Sequence, residues 1–325
     1  CAGSTGDGWS VTTTTASMCW SRRHATSVGG VKFPIDGVRV GHWTDEAAAT
    51  GCTVVLFPEG TVASGEVRGG APATREFDLL APERSVSRLD AVVISGGSAF
   101  GLATSDGVVA HLEEQGVGFP TPAGPVPIVV GMSLYDLMVG DGSVRPGAAE
   151  GRLAAVAAAS DTVEVGRVGA GAGATVGTWR GRDYSAPGGF GFASTRSGDL
   201  VVAAAMAVNA AGDVDDGSVP HSVADGMFDS WPDRTGAGSL ADGGRDNTTI
   251  GVVVTNGSVD KAGCLLLAQS AHDGLARAIF PPHTRSDGDA VVAAATGGIP
   301  VGGAELDILR VLTVAVVERA IRNAC

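Results

Sequence analysis

The chain of 325 residues is poor in aromatic and basic side chains. Aromatic residues make up 5% of it, and two residues, Lys32 and Lys261, are its only lysines. It has 22 basic against 35 acidic residues, a net charge of −13, and no basic run, so we expect it to bind neither nucleic acid nor an anionic membrane. With so few rings, the core has to be built from Ala, Val, Leu and Ile, and the 50 glycines predict many tight backbone turns.

Long apolar runs and paired cysteines are also missing. No run reaches the ~18 residues that a helix needs to span a bilayer, so we expect a soluble, cytoplasmic protein. The five cysteines contain no C-x-x-C pair, which argues against a disulfide framework or a zinc site. We therefore expect no metal and no cofactor. Cys264, in the apolar run AGCLLLAQSA, is predicted to be a small core residue.

Residues 1–30 differ from the rest of the chain. They are rich in Ser, Thr and Gly, lack an initiator Met, and lack the basic end and apolar block of a secretory signal. We expect a disordered or artificial extension here. Order is predicted to begin near Val31, with residues 31–325 forming a single domain.

Strand and helix patterns alternate along the domain. GVRVGHWTD and GCTVVLFPEG predict two strands, LDAVVISGG predicts a buried strand before a helix that ends near Gly116, and DLVVAAAMAVNAAGDV predicts a strand ending at Asn209. AGCLLLAQSAHDGLARAIF and GAELDILRVLTVAVVERAIRNA predict two helices, the second apolar on most faces and so expected to be sandwiched between other elements. This alternation predicts sheets covered by helix layers.

Three further segments allow a functional or a structural interpretation. Ser98 lacks the G-x-S-x-G spacing of a nucleophile elbow because Phe100 takes the place of the second Gly, so we interpret it as a helix cap. VGAGAGATVG lacks the spacing of a phosphate loop and predicts close backbone packing. Residues 210–245, rich in Asp, Gly, Ser and Pro, predict a long exposed linker.

The linker ends in GGRDNTTIGVVVTNGS, where turn-forming residues run directly into a β-branched strand at Asn247-Thr248. A threonine hydroxyl beside a strained peptide bond can accept the acyl group from the nitrogen and form an ester. Water can then hydrolyse that ester. The freed α-amine has a pKa of about 7.7–8.0 and can serve as the base for the same hydroxyl. Two plainer interpretations remain open: Asp246 and Asn247 form a turn before a strand, or NTT is a glycosylation sequon.

Several motifs together resemble a known family. VRVGHWTD, VVISGGSAFGLATSDGV, VGAGAGAT, MAVNAAGDV, DNTTIGVVVTN and SDGDAVVAAATG occur in consistent order from about Val38 to Ile321. They resemble the self-processing aminopeptidase/amidase family of L-aminopeptidase D-amidase/D-esterases, β-aminopeptidases and nylon-oligomer endo-hydrolases. The match of Asn247-Thr248 places the chain nearest the nylon-oligomer branch.

The resemblance implies an α/β fold, a four-layer α-β-β-α sandwich similar to N-terminal nucleophile hydrolases but with different strand connectivity. It implies cleavage into a large chain, residues 1–247, and a small chain, residues 248–325, which stay associated and form homo-oligomers, with tetramers of cleaved units expected. The substrate it implies is a small peptide or linear amide, including 6-aminohexanoate-like oligomers.

The resemblance also implies roles for individual residues. Thr248 is the expected nucleophile, Asn209 steadies the nucleophile and the oxyanion, and Tyr135 lies near the scissile carbonyl. Asp287 and Asp289, spaced for one strand face, are expected to hold the ammonium of Thr248.

One position departs from the family pattern. The nylon-oligomer branch has a lysine that helps to activate the nucleophile, and the matching position here is Thr178, with Arg180 nearby in sequence but unable to act as a base. We therefore expect slow self-cleavage. An acyltransferase of the ornithine acetyltransferase type and a catalytically silent homologue remain alternatives to the amide hydrolase.

Overall fold

The computed structural model of the protein describes residues 31–180, 182–218, 220, 224 and 247–325. The extension predicted at residues 1–30 and most of the linker predicted at 210–245 lie outside the described residues. Among the helices that are described, none combines the length and the apolar character needed to cross a membrane.

Sixteen strands and four α-helices lie in the described residues. The strands are β1 Arg39–Asp45, β2 Thr50–Leu56, β3 Val62–Val67, β4 Thr74–Arg75, β5 Ala91–Ser95, β6 Phe119–Thr121, β7 Gly124–Val126, β8 Val129–Ser133, β9 Thr175–Val176, β10 Ala186–Pro187, β11 Gly189–Ser197, β12 Leu200–Asn209, β13 Asp213–Val214, β14 Thr248–Ser258, β15 Ile279–Phe280 and β16 Ala290–Pro300. The helices are α1 Thr104–Glu114, α2 Ala148–Val156, α3 Lys261–Ala278 and α4 Gly303–Ala324. Short 3₁₀ turns occupy Phe77–Leu80, Ser98–Ala103, Gly169–Gly171, Thr178–Arg180 and Arg182–Tyr184.

Two five-stranded sheets form the centre of the domain. Sheet A has the order β1-β2-β5-β8-β4, and sheet B has the order β11-β12-β14-β16-β3. Both sheets are mixed: β5 runs parallel to β8, and β14 runs parallel to β16. In sheet B, β14 lies in the middle, with β12 antiparallel on one side and β16 on the other.

Alternating side chains along the central strands fill three apolar layers. On β5, Val93 packs in the layer shared with α1 and α2, and Ile94 packs between the sheets. On β14, Val252 packs between the sheets and Val253 packs in the layer shared with α3 and α4. Because successive side chains of a strand point to opposite faces, each central strand contributes to two layers. The order is helices, sheet A, sheet B, helices, which is the predicted four-layer sandwich.

Glycine allows the close packing that a core poor in aromatic side chains requires. A Cβ atom on Gly191 in β11 would lie 1.9 Å from the carbonyl oxygen of Ala320 in α4. A Cβ atom on Gly171, in the glycine-rich segment, would lie 2.1 Å from the backbone nitrogen of Phe190. The prediction that this segment serves backbone packing is confirmed, as is the burial of Cys264.

Three sequence-based predictions are wrong in part. The last helix, α4, is in an outer layer: it buries Val317, but Val311 is 69% exposed, because only one face packs on α3 and sheet B. Gly97, with φ of 80°, holds the cap position that was predicted for Ser98, which itself belongs to the 3₁₀ turn. The predicted linker begins inside the fold, since Ala211 is buried and β13 pairs with β15.

Candidate active site

Thr248 is the first residue of the central strand of sheet B. Its backbone pairs with Asn209, the last residue of β12, and both side chains are buried. Asn247 before it is buried as well. The strand that was predicted to start at Asn247-Thr248 therefore starts there, with the bond already inside the core.

The carbonyl group of Asn247 has two donors. The Thr248 hydroxyl donates to this carbonyl oxygen, and the backbone N–H of Gly288 donates to it at 3.0 Å. A parallel bridge between Asn247 and Asp287 holds the two segments together. The hydroxyl thus lies against the carbonyl that it would attack, and the Gly288 N–H is placed to stabilise negative charge on that oxygen.

Gly288 is in close contact with the hydroxyl. A Cβ atom at this position would lie 2.7 Å from Thr248 Oγ1 and 2.8 Å from the carbonyl oxygen of Ala71. Gly288 was not predicted as a site residue, although it stands between the two aspartates that were singled out in SDGDAV. A glycine between two predicted site residues was the available signal.

Thr178 contacts the residue before the bond. Its hydroxyl donates to the side-chain oxygen of Asn247 at 2.6 Å. The position that the family resemblance gave to a lysine is therefore within the candidate site, where Thr178 holds the Asn247 side chain.

Asn209 connects the end of β12 to two neighbouring segments. Its side-chain oxygen accepts the Thr175 backbone N–H at 2.8 Å, and its side-chain nitrogen donates to the Tyr135 carbonyl oxygen at 3.0 Å. Tyr135 follows β8 of sheet A and its side chain is half-buried. The structure thus places Asn209 beside Thr248 and beside the backbone carbonyl of Tyr135, whereas the expected role of the Tyr135 side chain stays a prediction.

Asp289 holds the residue after Thr248. One carboxylate oxygen accepts the Thr249 backbone N–H at 2.6 Å. The other accepts the His283 backbone N–H at 3.2 Å and lies 2.8 Å from His283 Nδ1. His283 is a second residue that the sequence analysis missed, because it lies six positions before Asp289 without a motif of its own.

Asp287 is held by a separate set of donors. One oxygen accepts the Ala211 backbone N–H at 2.9 Å, and the other accepts the backbone N–H and the hydroxyl of Thr284. Burial, and after it the negative charge of Asp289, raise the pKa of Asp287 to about 6.

Within the described residues, no group of three or more His, Cys, Asp and Glu side chains is arranged to hold a metal ion. The polar groups around Thr248 are hydroxyls, amides and the two carboxyl groups. This set can donate to a carbonyl oxygen and can exchange protons with an amine.

The fold defines the class of protein. The structure superposes on a β-aminopeptidase from Burkholderia sp. with a TM-score of 0.67 and 24% identity, covering 91% of this chain and 87% of that chain. It superposes on the L-aminopeptidase D-Ala-esterase/amidase of Ochrobactrum anthropi with a TM-score of 0.68 and 21% identity, covering 91% and 87%. The latter is described as a variant of the Ntn-hydrolase fold. This chain has the same α/β sandwich.

The sequence then gives the family. The profile of peptidase family S58 matches residues 34–325. The chain therefore belongs to peptidase family S58, and it is a hydrolase of peptide or amide bonds.

Two proteins of similar sequence carry different names. An uncharacterized aminopeptidase of Mycobacterium leprae is 43% identical over 289 residues, covering 82% of this chain and 78% of the relative. A 6-aminohexanoate-oligomer endohydrolase of Kocuria sp. is 29% identical over 289 residues, covering 83% and 76%.

Proposed function

We propose that this protein is a self-processing amide hydrolase of the aminopeptidase/amidase type with Thr248 as its N-terminal nucleophile. It cleaves its own Asn247-Thr248 bond and then acts on peptides or 6-aminohexanoate-like oligomers. The observation that carries the proposal is the geometry at the bond: the Thr248 hydroxyl lies against the Asn247 carbonyl, whose oxygen also accepts the Gly288 N–H at 3.0 Å.

Self-cleavage proceeds in two steps. Thr248 Oγ1 attacks the Asn247 carbonyl carbon, and the carbon–nitrogen bond breaks as the hydroxyl proton passes to the leaving nitrogen. The product is an ester between Asn247 and the Thr248 side chain. Water hydrolyses this ester to leave a carboxylate on Asn247 and a free α-amine on Thr248. The Gly288 N–H stabilises the oxyanion in both steps.

The cleaved enzyme applies the same hydroxyl to a substrate. The α-amine of Thr248, with a pKa of about 7.7–8.0 in the absence of neighbours, takes the hydroxyl proton and later returns one to the leaving amine. The Asn209 side-chain amide and the Gly288 N–H stabilise the oxyanion. Asp289 holds Thr249 in place, and Asp287 and Asp289 together favour the protonated state of the new amine.

The substrate class follows the names of the relatives. Those relatives are called aminopeptidase and 6-aminohexanoate-oligomer endohydrolase, and both names refer to hydrolysis of a linear amide. We propose a small peptide or linear amide as substrate, a location in the cytoplasm, and an oligomer, such as a tetramer, of cleaved units in which large and small chains stay associated.

Intact mass measurement under denaturing conditions tests the proposal. We expect two chains, residues up to Asn247 and residues 248–325, in protein incubated at neutral pH. Thr248→Ala should remain one folded chain, because it loses only a hydroxyl and a methyl group. Thr248→Ser should still be cleaved, because hydroxyl and future amine remain. A wild-type chain that stays uncut after prolonged incubation would contradict self-cleavage.

Aminoacyl anilides separate the activities. The proposed hydrolase releases aniline equally with and without an added acceptor amine. An acyltransferase needs the acceptor amine, and a silent homologue releases nothing under either condition.

A further inference from the structure

His283 is tied to the acidic pair although it lies outside the sheets. It follows β15 and has a left-handed backbone conformation, with φ of 52°. Its Nδ1 lies 2.8 Å from Asp289 Oδ2, and its backbone N–H donates to the same oxygen at 3.2 Å. The carboxylate is buried and the imidazole is mostly buried, so the contact is shielded from solvent.

The surroundings of this ring fix its orientation. Nδ1 lies against a carboxylate oxygen, to which it donates, whereas Nε2 is buried without a hydrogen-bond partner. The ring packs edge-on against His272 at a centroid distance of 4.9 Å.

His272 is neutral near neutral pH. Its Nε2 donates to the Glu66 carbonyl oxygen at 3.0 Å. Burial lowers the pKa of His272 to about 4. The charges that act on His272 are those of His283 and Arg68, which lower its pKa, and that of Asp289, which raises it. The charge of Asp289 also raises the pKa of Asp287.

The contact bears on the scissile bond through a short segment. Residues 287–289 are held at both ends by their side chains, and between them the Gly288 N–H donates to the Asn247 carbonyl oxygen. Asp289 also fixes the Thr249 N–H, one residue past the nucleophile. Loss of the His283 donor would therefore loosen residues 287–289, which contact Asn247 before the bond and Thr249 after it.

We propose that His283 is a positioning residue for self-cleavage: its Nδ1–H fixes the Asp289 carboxylate, and thereby aligns Thr248 with the Gly288 N–H. This inference rests on the proposed self-cleavage at Asn247-Thr248. It assigns His283 no contact with the reacting atoms.

Two variants of His283 differ in the side-chain donor while both tolerate the left-handed backbone. His283→Asn keeps an N–H that can reach Asp289, and Asn is among the residues that adopt positive φ most readily. His283→Gly keeps the backbone N–H and removes the imidazole. His272→Gln is the matched control, since its amide can still donate to the Glu66 carbonyl oxygen while the neighbouring ring is removed.

The rate of self-cleavage of freshly prepared protein is measured by intact mass between pH 5 and pH 9, normalised to folded protein. We expect His283→Gly to cleave about 10- to 100-fold more slowly, because it loses a hydrogen bond to a charged group. Because His283→Asn restores a side-chain donor to Asp289, recovery of the rate in that variant would show that the donor itself is needed. His283→Asn and His272→Gln should keep the rate and the pH profile close to those of the wild type.

A His283→Gly protein that cleaves at the wild-type rate would overturn the inference while the wild type remains self-cleaving. If His283→Gly has a lower melting temperature but an unchanged cleavage rate, His283 is merely structural and the inference is likewise overturned. If His283→Gly does not fold, His283→Asn decides, and slow cleavage in that folded variant would also overturn it. An uncut wild type would instead contradict the proposed function itself.

Discussion

Gly288→Ala perturbs the space between the nucleophile and the backbone that faces it. The new Cβ atom would lie 2.7 Å from Thr248 Oγ1 and 2.8 Å from the Ala71 carbonyl oxygen. The hydroxyl can move by rotation of its side chain, whereas the carbonyl belongs to the backbone. We therefore expect Thr248 to be pushed away from the Asn247 carbonyl, and Gly288 to shift relative to the same oxygen.

The expected magnitudes differ for stability and for cleavage. Overpacking by one methyl group costs about 1–3 kcal/mol of unfolding free energy, of which about 0.4–1 kcal/mol is offset by the lower entropy of the unfolded chain. Loss of one well-placed oxyanion donor slows a reaction about 10²- to 10³-fold. The variant should thus fold but remain largely a single chain on the time scale on which the wild type is cut.

The assay is a time course of intact mass together with a thermal melt. Gly298→Ala is the matched control, because its Cβ atom would make an ordinary contact 3.5 Å from the Asn256 carbonyl oxygen, near the far end of β16, the strand that follows Gly288. The reasoning is refuted if Gly288→Ala is cut as fast as Gly298→Ala, since the close contact would then have no effect on the bond.

Two further predictions concern Thr178 and the acidic pair. Thr178→Val, which removes the hydroxyl that holds Asn247, should slow self-cleavage without unfolding the protein, and Thr178→Lys should speed it. Equal cleavage rates in the wild type and both variants would show that the position is not involved. The pKa of Asp287 is raised from 3.8 to about 6 in the folded protein, so its contribution to stability is fully present below about pH 4 and is lost as the pH rises through 6. The loss amounts to at most about 3 kcal/mol of unfolding free energy. In urea titrations between about pH 4 and about pH 6, the unfolding free energy of Asp287→Asn should therefore fall less with pH than that of the wild type.

The strands and helices that carry strong patterns were predictable. VVIS and TTIGVVV are largely β-branched runs next to turn residues, and they lie in β5 and β14. The four layers were implied by family resemblance, and the alternation along β5 and β14 shows why they form. The outer position of α4 was not predictable, because an apolar surface such as that of Val311 does not reveal whether another element covers it.

The candidate site was singled out partly from the residues and partly from the resemblance. Thr248 stands where turn-forming residues run into a strand, whereas Asn209 and the aspartates were proposed through the family resemblance. The role proposed for Gly288 depends on a backbone N–H, which every residue except proline has, and on a bridge between segments 40 positions apart in the chain. His283 reaches Asp289 through a local turn with no sequence motif. Such contacts become visible only once the segments are placed together.

The position of β14 and β16 has a consequence for the cleaved protein. A cut before Thr248 would leave both strands on the small chain, while the large chain supplies β12 on one side of them and β3 on the other. The small chain would be enclosed on both edges by hydrogen-bonded strands, so it could leave only if sheet B came apart. Unfolding of the cut enzyme would then be a dissociation: its midpoint would depend on protein concentration, whereas that of an uncut Thr248→Ala monomer would not.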